Sequence, residues 1–278
     1  MSKWEIILSP RGVFQKQKVF NKFVSTIYMN LRHATYYKPL EAVKEYLHPG
    51  GVKYFLLDAE PRLKEKYLGE TVKHKPLMIM ALISVMYLQA SRVSEVPDMR
   101  MSHLRVFKES NIWYLRTKSG NVKNKKRKFK ITTVSYSTPH DATFIKYVTR
   151  WFKYLYNYYN FEAQTGYSWK EALLDKYKTK EDKIKVHNLL HQKYLFSHNF
   201  EQNRKICNSA IQKQIISVLD CNAHFLRKLR GSILVDKFNA SPRQIQEYLG
   251  HSDTVSAAPY LALSQKNLKN LVSNKQFV

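Results

Sequence analysis

The chain has 278 residues, and 44% of them are hydrophobic, so it can form one large domain or two smaller ones and is not a disordered protein. Lysine and arginine total 47 against 21 aspartate and glutamate residues. The formal net charge of +26 favours a polyanion such as nucleic acid as the partner, although ribosomal and membrane-surface proteins can be equally basic. Two cysteines, Cys207 and Cys221, are too few for a disulfide framework or a cysteine-rich zinc site, which favours a reducing, cytoplasmic setting.

The first 51 residues are predicted to form a short helical region. Apolar residues recur at helical spacing from residue 15 to residue 32 with basic residues between them, and a second helix follows from Pro39 to Leu47. The breaker from His48 to Gly51 predicts a boundary between the region 1–51 and a larger domain of residues 52–278. The N-terminus does not resemble a signal peptide, because it lacks a cationic stretch followed by a long apolar one.

The larger domain begins with helices. Residues 52–67 have a helical pattern. The apolar run from Leu77 to Leu88 is shorter than the roughly 20 residues that cross a bilayer, so it predicts a buried helix of a folded core. After this run, Ser91 is a plausible N-cap of a turn in which Arg92 and Glu95 are i, i+3 neighbours. In such a turn the carboxylate can orient the guanidinium.

Residues 111–135 are predicted to form a β-hairpin with a basic tip. The segments 111–117 and 129–134 are rich in aromatic and β-branched residues, and they flank a basic segment. The run from Lys123 to Lys130 is by default a solvated charge run and also fits a nuclear-import signal. Its place inside a hairpin favours contact with DNA through the basic residues Lys123, Lys125, Lys126, Arg127 and Lys128.

The middle of the chain is predicted to be helical and to carry no metal site. Residues 142–159 form an amphipathic helix, residues 164–194 are charged and weakly periodic, and a helix resumes from Asn203 to Leu219. His187 and His191 have an i, i+4 spacing that two zinc ligands can use, but the H-E-x-x-H pattern is missing and no cysteine is near, which favours an ordinary surface helix. Neither a P-loop nor an acidic metal cluster occurs, so we expect no cofactor.

The C-terminal part contains the densest group of chemically capable residues. A helix over 224–238 places His224 and Arg227 on one polar face, one turn apart. A short helix follows with a complete set of end signals, which comprises Ser241, Pro242, Gln244 and Gly250. His251 then leaves the end of that helix at a fixed point, Tyr260 follows directly after Pro259, and a last amphipathic helix is predicted over about 261–273.

These residues resemble the signature of the tyrosine recombinases, also called phage-type integrases. The C-terminal part of that signature is H-x-x-R, then L-G-H, then a tyrosine, and here it reads His224 to Arg227, Leu249 to His251, and Tyr260. Upstream, A-S-R-V-S-E-V resembles the first box of the signature, with Ala90 in place of a glycine. Each residue alone is more often an ordinary surface or packing residue, but the joint pattern favours a recombinase-type site.

The resemblance implies a fold and an assembly. It implies a mainly α protein with a small antiparallel β-sheet (α+β), in which the region 1–51 contacts DNA and the C-terminal helix packs into a neighbouring protomer. It implies double-stranded DNA as the partner and a homo-oligomer on DNA, usually a tetramer in the synapse, with no membrane association. The compact size and the richness in lysine and tyrosine look like integrases of archaeal viruses or plasmids.

The resemblance also implies the roles of the site residues. The protein would cleave and rejoin DNA through a 3′-phosphotyrosyl link to Tyr260, without metal or ATP. Lys118, in T-K-S-G at the hairpin turn, would be the general acid, although Lys123, Lys125 and Lys126 compete for this role. The remaining groups would stabilise the phosphate or move the phenol proton, and they are Arg92, Arg227, His251, His224 as base or orienting donor, and Glu95 as support.

Two alternatives remain open. The first is a type IB topoisomerase-like or resolvase-like enzyme, which uses the same chemistry to a different end. The second is a basic DNA-binding protein whose site no longer reacts. The segment from Ala257 to Pro259 departs from the threonine-containing approach that is usual before the tyrosine, so delivery of Tyr260 in cis or in trans also stays open.

Overall fold

The computed structural model describes residues 74–120, 129–137, 139–219 and 223–250. The chain divides into two units between His48 and Pro49, and all described residues belong to the second unit. The predicted helices before residue 74, the boundary at residue 51, and the last helix over 261–273 lie outside the described residues. The described part is mainly α-helical with a small antiparallel β-sheet, which confirms the predicted fold class.

Helix α1, Lys75–Gln89, is the central element of the core. It is buried from Met78 to Gln89, because its sequence is apolar on every side and a helix of that kind is stable only when other elements cover it. The helix ends at Ala90, whose φ of 47° lies in the left-handed region. The prediction of a buried helix is therefore confirmed. Within the described ranges, no helix combines the length and the hydropathy that a membrane span requires.

A short turn leads from α1 into a three-stranded sheet. Two 3₁₀ turns, Val93–Glu95 and Met101–His103, precede β1 (Leu104–Glu109), β2 (Ile112–Gly120) and β3 (Phe129–Ser135). The strands are antiparallel in the order β1-β2-β3. The predicted hairpin is β2–β3, but strand β1 was missed. The sequence signal for β1 is the Ser110-Asn111 pair that follows it. In the structure these two residues have positive φ values of 47° and 63°, which fit the tight hairpin turn between β1 and β2.

The two faces of the sheet differ sharply in burial. The buried face turns toward the helical core and carries alternate residues of each strand, including Leu115 and Thr117 of β2 and Val134 of β3. Lys130 lies on this buried face, because it is four residues before Val134 and strand residues alternate with a period of two. The expectation that the whole run from Lys123 to Lys130 is solvated is therefore wrong for Lys130, which is only 6% exposed.

Helices and a small second sheet follow β3. They are α2 (Pro139–Tyr158), α3 (Phe161–Thr165), α4 (Trp169–Leu173), α5 (Lys180–Gln192), β4 (Ser197–Asn199), β5 (Arg204–Lys205) and α6 (Asn208–Leu219). Helix α2 packs on α1, with the rings of Tyr87 and Phe144 stacked at a centroid distance of 4.1 Å. The predicted helix from Asn203 begins only at Asn208, because the preceding residues Arg204 and Lys205 pair with β4.

The last two described helices carry the C-terminal part of the signature. They are α7 (Ala223–Phe238) and α8 (Pro242–Leu249). Helix α8 begins with the predicted capping box, in which the backbone N–H of Gln244 donates to Ser241 Oγ at 3.3 Å and the Ser241 N–H donates to Gln244 Oε1 at 2.8 Å. It ends at Gly250 with a φ of 67°. Both predicted ends are confirmed.

Candidate active site

Three elements meet at the carboxyl end of α1. The last carbonyls of a helix have no partner within the helix and carry a negative partial charge, so they attract donors and cations. The backbone N–H groups of Ser91 and Ala90 bond to the Met86 and Tyr87 carbonyls. The next three carbonyls are bonded by side chains from three different elements. Tyr248 Oη of α8 donates to the Leu88 carbonyl. Lys130 Nζ of β3 donates to the Gln89 carbonyl, and Arg227 Nη1 of α7 donates to the Ala90 carbonyl.

Arg227 connects the separate parts of the signature. Its side chain is only 1% exposed. Its Nη1 lies 2.5 Å from the Ala90 carbonyl oxygen and its Nη2 lies 2.8 Å from the Leu249 carbonyl oxygen. Ala90 is two residues before Arg92, and Leu249 is two residues before His251. Arg227 therefore holds the segment that leads to Arg92 against the helix end that leads to His251.

Arg92 and Glu95 form the contact that their spacing predicts. Arg92 Nη1 lies 2.7 Å from Glu95 Oε1, and the Arg92 backbone N–H donates to Glu95 Oε2 at 2.9 Å. The Glu95 side chain is fully buried, whereas the Arg92 side chain is 18% exposed. The carboxylate thus fixes one edge of an accessible guanidinium. Ser91 does not cap this turn as expected, because its hydroxyl donates instead to Gln89 Oε1 at 2.7 Å.

Lys130 is a buried ammonium beside both arginines. Burial, together with the charges of Arg227, Arg92 and Arg230, lowers the pKa of Lys130 to about 7, while Glu95 acts in the opposite direction. Its Nζ lies 5.5 Å from the centre of the Tyr248 ring. Sequence reasoning missed this residue. The sequence does contain a signal for it, because the two-residue period of a strand places Lys130 on the same face as the apolar Val134.

Lys118 lies on the opposite, outer face of the same hairpin. It pairs with Ile131 across the strands, and its Nζ lies 3.9 Å from the centre of the Phe129 ring. It lines a cleft of about 300 Å³ together with His103. Burial lowers the pKa of His103 to about 4, and the Lys118 charge contributes to that shift. The described contacts do not bring Lys118 to Arg92 or Arg227, and its role as general acid stays a prediction.

The remaining predicted site residues are only partly described. His224 is exposed on α7, one helical turn before Arg227, and its role stays a prediction. The other residues lie outside the described part of the chain, and they are Tyr260, His251, Lys123, Lys125, Lys126, Arg127 and Lys128.

A buried ion pair next to the site was not predicted. Arg230 Nη1 and Nη2 bond to Asp141 Oδ1 and Oδ2 at 2.6 and 2.9 Å, and the two side chains are 3% and 2% exposed. Arg230 lies one turn after Arg227 on α7, and Asp141 lies in the first turn of α2. The guanidinium also lies 5.2 Å from the Tyr87 ring and 5.6 Å from the Tyr248 ring. Burial raises the pKa of Tyr248, so its hydroxyl keeps its proton.

Histidines cluster at the outer cleft without forming a metal site. The rings of His187 and His191 stack with their centroids 6.0 Å apart, and the ring of His103 lies 5.7 Å from that of His191. His191 Nδ1 lies 3.0 Å from Ser102 Oγ. In the part of the chain that the structure describes, no three His, Cys, Asp or Glu side chains are placed to hold a metal ion together.

Comparison with known proteins gives similarities only among solved structures. No protein-family model and no curated protein matches the chain. The XerH site-specific recombinase bound to a palindromic difH substrate, in a post-cleavage complex, is similar with a TM-score of 0.47 and 14% identity over 81% of this chain. XerH in a pre-cleavage complex with difH is similar with a TM-score of 0.43 and 14% identity over 79% of this chain. XerA recombinase is similar with a TM-score of 0.42 and 16% identity over 80% of this chain. The chain spans 52% and 51% of the two XerH chains and 63% of XerA.

Proposed function

We propose that this protein is a site-specific DNA recombinase that cleaves and rejoins DNA strands through a 3′-phosphotyrosyl intermediate on Tyr260. The observation that carries the proposal is the pair of bonds made by Arg227, which ties the segment before Arg92 to the helix end before His251. A signature whose parts are scattered along the sequence belongs to one site only if such contacts exist. The large net positive charge supports double-stranded DNA as the partner.

The arginines would stabilise the charge that develops on the non-bridging phosphate oxygens. A guanidinium presents planar paired donors and stays charged at any working pH. Arg92, held by Glu95, has the exposure that a contact to DNA requires. His251 would add a further hydrogen bond. Fixed donors of this kind need no reorganisation during the reaction, which is why they lower the barrier.

The reaction exchanges one phosphoester bond for another. The Tyr260 oxygen would form a bond to phosphorus while the bond from phosphorus to the 5′ oxygen breaks. The phenol has a reference pKa of about 10, so its proton must leave, and His224 is the candidate base or orienting donor. The 5′ oxygen must gain a proton, and Lys118 is the predicted general acid. Because Lys118 is paired within β2–β3 on the outer face of the sheet, this role requires the backbone at this end of the hairpin to rearrange in the DNA complex.

The phosphotyrosyl link conserves the energy of the broken bond. A 5′ hydroxyl from another strand can therefore reverse the step without ATP, which produces strand exchange. Exchange between two DNA sites requires several active sites, so we propose a homo-oligomer, a tetramer in the synapse. The same chemistry would serve the integration of a viral genome or another mobile element.

A trap for the covalent intermediate tests the proposal without knowledge of the target site. The substrate is a pool of random-sequence duplexes with a nick shortly after the variable segment, so that the short 5′-hydroxyl strand diffuses away after cleavage. We expect denaturant-resistant adducts with the wild-type protein and none with Tyr260→Phe. Tyr158→Phe, which removes an exposed hydroxyl elsewhere, should form them normally. Adducts in the Tyr260 variant would refute the assignment of the nucleophile.

The same experiment separates the alternatives. Transfer of the trapped strand to a second duplex favours a recombinase, whereas relaxation of supercoiled DNA without transfer favours a topoisomerase-like enzyme. Binding of the duplex pool with no adduct from any sequence would favour a DNA-binding protein without activity.

A further inference from the structure

A cleft opens at the outer face of the three-stranded sheet, on the side opposite the buried face that carries Lys130. The turn Met101–His103 and all three strands line one side of it, and α4, α5 and the segment between them line the other. We propose that this outer cleft is a binding site for a phosphate group carried on a sugar, as in a nucleotide or a nucleic-acid backbone. The inference goes beyond the proposed function, because it uses none of the contacts of Arg227 that carry that proposal.

Positive charge lines the outer cleft in excess. Among the described residues that line it, four basic side chains face a single carboxylate, and they are Arg105, Arg116, Lys118 and Lys183 against Asp175. Asp175 Oδ2 is already shared, because it lies 2.9 Å from Arg105 Nη2 and 2.7 Å from Lys183 Nζ. In the described part of the chain, Arg116 and Lys118 have no carboxylate partner, and each lies over an aromatic ring instead. A bound anion would supply the counterion that these two cations lack.

The placement of Arg105 and Arg116 favours an anion as well. The two arginines are direct cross-strand partners on β1 and β2. Like charges directly opposite each other destabilise a sheet, so this pair does not serve the stability of the strands. An anion between the two guanidinium groups relieves their repulsion. Each guanidinium presents paired planar donors, which match the oxygen atoms of a phosphate group.

The histidine that lines the inner part of the cleft experiences the same positive field. Burial lowers the pKa of His103 to about 4, and the charges of Lys118, His191, Arg100 and His187 all act in the same direction. The Nδ1 atom of His103 accepts the backbone N–H of Arg100 at 3.2 Å, so the neutral ring carries its proton on Nε2 and can donate. Cations and neutral donors therefore surround the cleft, which favours an anion over a metal ion or an amine.

Apolar side chains on the wall of the cleft narrow the class of anion. They are Leu104, Ile131, Ala172 and Leu190, together with the ring of Tyr177. The Tyr177 hydroxyl donates to the Ala172 carbonyl at 3.2 Å, so this residue offers its ring to a ligand. Apolar surface beside cations fits a ligand that has a charged part and a less polar part, such as a phosphate on deoxyribose. The cleft volume of about 300 Å³ lies at the lower end of the range for ligand pockets and suits one such unit.

Two variants change the charge of the outer cleft in opposite directions. Arg116→Gln removes a cation that has no carboxylate partner, and Asp175→Asn removes the one carboxylate. Asparagine also tolerates the φ of 58° at position 175, so this change should not strain the backbone. The control is Arg150→Gln, which removes an exposed arginine of α2 outside the cleft.

Isothermal titration calorimetry with thymidine 5′-monophosphate, in about 0.15 M chloride, measures the affinity of each full-length variant. We expect binding about tenfold weaker in Arg116→Gln than in the wild type, the effect of losing one charged hydrogen bond. Asp175→Asn should bind severalfold more tightly, because the negative charge that repels the phosphate is gone. Arg150→Gln should bind as the wild type does, and thymidine without its phosphate should not bind.

A short DNA duplex distinguishes a backbone phosphate from a free nucleotide as the natural ligand. Its affinity is measured by fluorescence anisotropy at several salt concentrations. If the cleft takes a backbone phosphate, Arg116→Gln should reduce the slope of log affinity against log salt by about 0.9 relative to Arg150→Gln. Equal slopes, with a monophosphate affinity that depends on Arg116, would assign the cleft to a free nucleotide.

The inference is overturned if Arg116→Gln and Arg150→Gln bind both probes equally, because binding would then reflect only the overall charge of the protein. A failure of Asp175→Asn to bind either probe more tightly would count against it too, and that result remains accessible if Arg116→Gln does not fold. Dependence on Arg116 without any covalent DNA adduct would keep the cleft and remove the recombinase function. Adducts from a protein whose cleft binds neither probe would do the reverse.

Discussion

Replacing Asp141 with alanine should destabilise the protein strongly, because it leaves the Arg230 guanidinium buried without its carboxylate. The two side chains are 3% and 2% exposed and are joined by bonds of 2.6 and 2.9 Å. Removing one partner of such a pair costs about 3–5 kcal/mol, since the remaining charge has neither water nor a counterion. Replacing both partners with apolar residues, as in Arg230→Met with Asp141→Leu, should recover most of this loss.

Urea unfolding followed by circular dichroism measures the effect, with a thermal melt as a second readout. For a chain of this size, a loss of 3–5 kcal/mol corresponds to a Tm lowered by about 6–20 °C. The two single variants and the double variant form a cycle that gives the coupling energy of the pair. Glu247→Ala is the control, because the exposed Arg243–Glu247 pair at 3.6 Å should contribute little.

A loss below about 1 kcal/mol in Asp141→Ala, equal to that of the exposed control pair, would refute the reasoning. It would mean that water reaches Arg230 or that another group neutralises it. A double variant as unstable as the sum of the two single variants would refute it as well, because the pair would then have no coupling energy.

Other variants test the remaining contacts. Ser241→Ala removes the cap of α8 and should cost about 1 kcal/mol in urea unfolding, whereas Ser241→Asp should cost little. Trp151→Phe removes the donor to the buried Leu195 carbonyl, which lies 2.8 Å from Nε1, and should cost about 1–3 kcal/mol in the same assay. Folding lowers the pKa of Lys130 to about 7, so between about pH 7 and the reference pKa of about 10.4 the unfolded state binds more protons than the folded state. The free energy of unfolding of the wild type, relative to that of Lys130→Met, should therefore rise with pH across this window. Thermal melts at several pH values measure this difference, and a constant difference would contradict the prediction. DNA affinity, measured by fluorescence anisotropy, should fall by about 0.9 log unit per log unit of salt for each phosphate that the protein neutralises, and a flat salt dependence would contradict a phosphate-based interface.

The sequence predicts the parts of this fold that depend on local patterns. Helix α8 is bounded correctly because Ser241, Gln244 and Gly250 act within a few residues of one another. The apolar run of α1 identifies a buried helix for the same reason. Strand β1 was missed because its residues gain their order from pairing with β2, and the Ser-Asn turn that permits this pairing is a weak signal.

The parts that failed depend on contacts between distant segments. Lys130 is the last residue of a basic run, and only its register relative to Val134 shows that it faces the core. The pairing of Arg230 with Asp141 joins residues 89 positions apart, which no periodicity reveals. The spacing of Arg92 and Glu95, in contrast, was sufficient to predict their contact, because it operates within a single turn.

The end of α1 has a consequence for when the protein acquires activity. Its three terminal carbonyls are bound by side chains from β3, α7 and α8, so no subset of these elements completes the arrangement. Under the proposed function, a nascent or partly unfolded chain that lacks any one of them cannot cut DNA. If the proposed function is correct, this dependence would protect DNA from breaks by incompletely folded protein, without a separate inhibitor.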